Sequence, residues 1–264
     1  VSAFICRSSR TFITIDRLLF THSLSQILLG NKSNVFDTSQ TSYAVQNISP
    51  STISAVVTYS NGAKKTKQIA PNAKASFTGC EAPDSGPSTN GLSGSAIIET
   101  TTTDAMIAIG KVFKTNNSNY TTAFLGERYG SYKLALPYVR YASDAKFFNG
   151  SRERTNIAIQ NVGASPVGPI TVEYRNKNGT VVGTHTISAI NGGAKANSKP
   201  TDAGTQTALL EFGSPDANPG GGYGGSTTIK GPVTANLIAV ARVTGYDAVA
   251  SKEISEDYNA FQVP

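Results

Sequence analysis

Two histidines, His22 and His185, and two cysteines, Cys6 and Cys80, are the only residues of their kinds in 264. A zinc-type centre needs such donors gathered at short, regular spacings, and these four stand singly and far apart. His185 falls in GTHTIS, which reads as strand, and His22 in a segment without clear pattern; both read as ordinary polar positions. Serines are abundant, yet no Gly-x-Ser-x-Gly elbow presents one as a nucleophile. Nor does a Gly-x-Gly-x-x-Gly turn or a phosphate loop follow a strand and open a helix. The chain therefore reads as non-enzymatic, with no catalytic residue and no cofactor. GSPDANPGGGYGGS, residues 213–226, offers Asp216 and Asn218 as oxygen ligands, but it lacks the carboxylate count and closing Glu of a full calcium loop, so it is at most a weak calcium site.

Other residues carry chemistry of a structural kind. Cys6 and Cys80 are candidates for one disulfide in an oxidising compartment, either within the chain or between neighbouring subunits. Asn-x-Ser/Thr sequons begin at Asn31, Asn47, Asn116, Asn119, Asn149 and Asn178, each a candidate glycosylation site. Tyr120, Tyr129, Tyr132 and Tyr223 could stack on sugar faces, although tyrosine also packs well inside β domains. The net charge of +6 is scattered, with Arg152 and Arg154 around Glu153 and Lys64, Lys65 and Lys67 after a turn. No phosphate-tracking stripe forms, which argues against nucleic acid as a partner. No apolar run is long enough for a membrane-spanning helix.

The elements that must position these residues repeat. YAVQNIS at 43–49 recurs as IAIQNVG at 157–163. After each comes a β-branched strand ending near Tyr59 or Tyr174, an Asn-Gly turn, a second strand, and a polar turn ending in Ala-Lys. Further on, GLSGSAII matches GYGGSTTI, MIAI matches LIAV, and NYTTAF is set against DYNAF. Matched blocks in one order, with the spacing growing in the turns, indicate two copies of one unit. Alternating apolar residues in TVEYR and apolar residues on both sides of NLIAVARV fit packed sheets. The fold class expected is all-β, with two tandem immunoglobulin-like β-sandwich domains and an amino-terminal strand-forming extension. Its expected boundaries are 1–30 for the extension, 31–126 for the first sandwich and 127–264 for the second.

LALPYVRY precedes the second QN motif and has no clear copy before the first. The missing strand must lie upstream of Tyr43, with Thr11, Phe12, Ile13, Thr14, Ile15, Leu18, Leu19 and Phe20 as its candidate residues and SLSQILLG as an alternative. Such a strand either completes its own sandwich or enters a neighbour's and propagates a filament.

Taken together, the QN motifs, TYSNG and EYRNKNG, the Gly-Ser strands, and LALPYVRY before TNIAIQNVG resemble tandem β-sandwich repeats of proteins secreted by filamentous bacteria, over roughly residues 42–264. That resemblance implies a secreted or cell-surface location and transfers no active site. The expected function is an extracellular structural subunit that forms a filament or layer with copies of itself through head-to-tail β-strand contacts. The alternative is a monomeric adhesin or carbohydrate-binding stalk whose partners are cell-wall or surface glycans.

Overall fold

The computed structural model describes residues 17–22, 40–59, 62–78, 94–102, 105–114, 120–147, 151–203, 224–247 and 252–264. Cys6, Cys80, Thr11 to Ile15, Asn31, Asn116, Asn119, Asn149, Asp216, Asn218 and Tyr223 lie outside them, as do the side chains of Leu18, Leu19, Phe20, His22 and Tyr120.

The first half supplies β1 (Arg17–His22), β2 (Gln40–Asn47), β3 (Ile53–Tyr59), β4 (Lys64–Ile69), β5 (Lys74–Thr78), β6 (Gly94–Glu99), β7 (Met106–Lys114) and β8 (Tyr120–Leu125). They form two antiparallel sheets, ordered β1-β6-β3-β4 and β5-β2-β7-β8. Alternation decides which side chains go inside. Tyr43 and Val45 of β2, Ile53, Ala55 and Val57 of β3, and Ala96 and Ile98 of β6 point into one core with Phe77, Val112 and Phe124. Gly110 leaves the space that the Phe124 ring fills; a Cβ there would meet the ring at 2.3 Å.

The second half repeats the plan with β9 (Lys133–Phe147), β10 (Ser151–Asn161), β11 (Ile170–Arg175), β12 (Val181–Ile187), β13 (Lys195–Ser198), β14 (Gly224–Lys230), β15 (Leu237–Asp247) and β16 (Lys252–Asn259). A final strand, β17 (Phe261–Gln262), is added to the outside of β9. The orders β12-β11-β14-β9 and β13-β10-β15-β16 match the first sandwich strand for strand. Because β9 is long, its first part pairs with β14 and its last part with β10, so the two layers are joined into one continuous sheet. Pro137 has no N–H to give, and it falls where the β9–β14 register shifts, between the Gly225–Val139 and Thr227–Leu136 pairs.

Strand β1 fills the place expected upstream of Tyr43. It pairs with β6 of the same chain, Leu18 opposite Ile98 and Phe20 opposite Ala96, as Leu134 and Leu136 of β9 pair with Ile229 and Thr227 of β14. Residues 17–22 are thus a strand of the first sandwich, running two residues beyond the Thr11-to-Phe20 candidate. Within the immunoglobulin scheme, β2, β3, β5 and β6 pair as strands B, C, E and F do. The outer places are exchanged: the first strand in sequence lies beside F, and the seventh lies beside B.

The registers also realign the last block of the repeat. Phe124 lies opposite Gly110 and Tyr258 lies opposite Ala241, so the partner of Phe124 is Tyr258. Phe261, its counterpart in the NYTTAF–DYNAF matching, belongs to β17 in the other layer. The hairpin turns follow the sequence directly: Gly62 and Gly179 take φ of 86° and 82°, the left-handed region that glycine enters without steric cost.

Candidate functional site

One set of described residues looks like reaction chemistry. Ser198 Oγ lies 2.9 Å from His185 Nδ1 and 2.7 Å from the Tyr174 hydroxyl. Strands β11, β12 and β13 bring them together. Ser198 is fully buried and Tyr174 is 1% exposed, so no substrate carbonyl can reach the serine oxygen. Burial pushes the Tyr174 hydroxyl well above the usual phenol range, which keeps it a neutral hydrogen-bonding group. The trio ties an edge strand to the core. Among the described residues no group of three or more His, Cys, Asp or Glu could hold a metal ion, and no helix is long and apolar enough to cross a membrane.

The repeated QN motif proves to be a corner lock. Asn47 and Asn161 end the equivalent strands β2 and β10 and are 0% and 1% exposed. Asn47 Nδ2 donates to Ser51 O at 2.7 Å and Ile69 O at 2.9 Å, and its Oδ1 accepts from Ser49 N at 2.8 Å. Asn161 repeats the geometry on Ser165 O, Ile190 O and Gly163 N at 2.7, 3.0 and 2.9 Å. One side chain thus satisfies three backbone groups where the chain turns from one sheet to the other.

That lock bears on glycosylation. Asn47 heads a sequon, yet its amide nitrogen is buried and donates to two carbonyls. Asn178 sits in the exposed turn between β11 and β12. Peptide mapping of protein made in a glycosylating host is expected to find Asn178 occupied and Asn47 bare; glycan on Asn47 in folded protein would contradict the geometry.

A second constellation of polar groups lies where the two sandwiches meet. Strands β1 and β8 are the edges of the two sheets on one flank of the first sandwich. This flank rests on the outer face of β13-β10-β15-β16, with β1 against β10 and β15 and β8 against β16. Val240, pointing out of its own sandwich, joins the core of the first, and Ile97 packs on Val162 and Ile238. Asn259 of β16 imitates a strand: its Oδ1 accepts from Leu125 N at 3.0 Å and its Nδ2 donates to Leu125 O at 2.9 Å. The same Nδ2 donates to Glu127 Oε1 at 2.6 Å. Burial raises the Glu127 carboxyl above the usual carboxylate range, partly offset by this hydrogen bond. Ser95 Oγ donates to Gly193 O at 3.0 Å.

At the centre Arg242 donates to Asp257 through Nε and Nη2, both at 2.8 Å, and the Thr122 hydroxyl donates to the same carboxylate. The Arg242 and Asp257 side chains are 5% and 0% exposed. Lys195, on the same face, is pushed down to about 8 by burial and by the Arg242 charge, and its Nζ donates to Asn197 Oδ1 at 2.9 Å. A lysine whose pKa is depressed by folding opposes folding while it is protonated in the native state. Stability is therefore expected to rise between about pH 8 and about 10 as the native Lys195 loses its proton ahead of the unfolded one. Lys195→Met should remove that rise and add about 1 kcal/mol at neutral pH, measured by denaturant titration across pH.

Of the tyrosines with candidate sugar-stacking roles, Tyr129 is 62% exposed with the Arg128 guanidinium 5.0 Å from its ring centre, and Tyr132 is half-buried beside the second core. Sequence reasoning missed Arg242, Asp257 and Asn259. Their signal was an arginine interrupting the apolar run of NLIAVARV, with an acidic residue on the strand that follows.

Fold and seam define a tandem antiparallel β-sandwich protein. No protein-family model matches the chain, and no curated protein matches it. Among solved structures it is similar to the C-terminal domain of the Streptococcus pyogenes antigen I/II-family protein AspA, at 6% identity over 83% of this chain and 84% of that one, with a TM-score of 0.17. It is also similar to the serine-rich repeat protein Srr2 from Streptococcus agalactiae, at 10% identity over 94% and 92% of the two chains, with a TM-score of 0.17. Superpositions at that score carry no argument about this chain.

Proposed function

We propose that the chain is a non-enzymatic structural or adhesive element displayed outside the cell, in which two sandwiches form one stiff, stalk-like unit. The observation that supports this most is the seam. A buried Arg242–Asp257 pair, the Asn259 clamp on Leu125 and the insertion of Val240 into the first core replace the exposed polar linker that usually separates independent domains. Low charge density and the exposed Asn178 sequon suit the same setting. In the adhesive form of this reading, the open ring of Tyr129 meets surface glycans. Labelling intact source cells with a membrane-impermeant amine reagent tests the location through exposed Lys64, Lys65 and Lys74. A glycan screen of the intact chain against Tyr129→Ala tests the ligand; wild-type binding unaffected by the substitution would remove Tyr129 from the account.

A filament built by exchange of β1 is the second reading. It is favoured by one contrast: 17 residues, 23–39, separate β1 from β2, whereas three, 148–150, separate β9 from β10. A connection that long can reach a neighbour's β6. Ordered polymers that survive deletion of residues 1–22 would reject exchange.

A further inference from the structure

The outer face that the second sandwich buries in the seam has a twin on the first. Strand registers place Gln46 where Gln160 stands, Ala44 at Ala158, Ile107 at Ile238, Ile109 at Val240, Lys74 at Lys195 and Lys111 at Arg242. Chemistry is kept position by position, and Ile107 is as buried as Ile238, but the other positions differ in burial. Gln160, Ala158, Val240 and Arg242 are at most 7% exposed, whereas Gln46, Ala44, Ile109 and Lys111 are half-buried. Leu125, directly opposite Ile109, is 41% exposed. Alternation would put polar residues on a sheet face meant for water, and here it leaves Ala44 and Ile109 half-buried there beside the buried Ile107.

The flank that fits this face also has a twin. In the seam the face receives the β1 and β8 edges of the first sandwich; their equivalents are β9 and β16, with β17 laid along β9. Ile254 on β16 and Phe261 on β17 are 59% and 63% exposed, so this flank offers apolar side chains to an apolar face. Charge completes the match. Asp257 answers Arg242 from within the covered face, and the Thr122 hydroxyl joins from the flank. On the first face Ala123 holds the Asp257 position, so that face lacks this carboxylate beside Lys111. On the second flank Glu256 holds the Thr122 position and is exposed.

We propose that the outer face of β5-β2-β7-β8 docks the β16–β17 flank of a second copy of this chain, Glu256 meeting Lys111, with Ile254 and Phe261 adding apolar contact on either side of that pair. The contact repeats between molecules the one made within each, and it rests on the reading of the chain as a structural element. Face and flank are different surfaces of one molecule, so the contact is heterologous and extends in a row without closing. It needs no strand to leave its sheet.

Sedimentation velocity of the intact chain from micromolar to millimolar concentration tests it. Wild type is expected to grow into a concentration-dependent series of oligomers. Ile109→Arg on the face and Ile254→Arg on the flank should each stop growth alone; mixed, they retain one good face and one good flank and should form dimers that go no further. Lys111→Glu and Glu256→Lys, surface changes that leave folding intact, should each weaken association by about tenfold and restore it together. A wild type that stays monomeric, or oligomers indifferent to all four substitutions, overturns the proposal. A monomer exposed on the cell surface would overturn the docking and spare the proposed function; an oligomer confined inside the cell would do the opposite.

Discussion

Replacing Asn161 by alanine is expected to destabilise the second sandwich by about 3–5 kcal/mol, and Asn47→Ala the first by a comparable amount. Each change removes three side-chain hydrogen bonds at once, with the one to Ile69 O or Ile190 O buried and the one to Ser51 O or Ser165 O part-buried, and a buried group that loses a partner costs about 1–3 kcal/mol. Partial relaxation keeps the total below the sum of three. The neighbouring Gln46 supplies the control: it is half-buried on the outer face, and Gln46→Ala should cost under about 1 kcal/mol. Urea unfolding midpoints of the three variants decide the matter. If the asparagine variants lose no more than the Gln46 control, the corner lock is not what the repeated motif is for.

Asp257→Ala should have the second large effect, about 3–5 kcal/mol, because it leaves Arg242 charged and 4% exposed with its bidentate carboxylate gone. The loss should concentrate at the seam. Wild type is expected to melt in one cooperative transition in calorimetry, and Asp257→Ala in two, the first sandwich melting ahead of the second. Replacing both partners with apolar residues of similar volume, Arg242→Met with Asp257→Leu, should recover most of the loss, since the cost comes from the orphaned charge rather than from the missing attraction. A single transition in Asp257→Ala at unchanged temperature would show that the ion pair does not couple the two sandwiches.

The repeat was the most legible feature of the sequence. Strands with period-two alternation, such as β3 and β11, and turns fixed by Asn-Gly announce themselves through local rules, and both fall where the residues place them. The QN motif pointed to equivalent strand ends, although the letters could not reveal that the asparagine alone is the lock. Relations between strands distant in sequence were harder to read. Phe124 and Phe261 share a residue type and a place in similar strings, yet only the ladder partners Gly110 and Ala241 show that Tyr258 is the true counterpart. The seam was invisible for the same reason. The apolar residues on both sides of NLIAVARV announce a strand covered on both faces, with Arg242 interrupting the run, but what covers the outer face depends on how the units stack, which no local pattern encodes.

Val240 carries a consequence for how the protein comes to be made. It belongs to the second sandwich by sequence and to the core of the first by position. A ribosome synthesising about 5–20 residues per second finishes Phe124, the last strand side chain of the first core, roughly 6–23 s before it reaches residue 240, 116 residues later (240 − 124). Throughout that interval the growing chain holds a sandwich whose flank opens to its own interior. Synthesis order and completion order are thus out of step, and the earlier-made half waits on the later one for its last apolar wall.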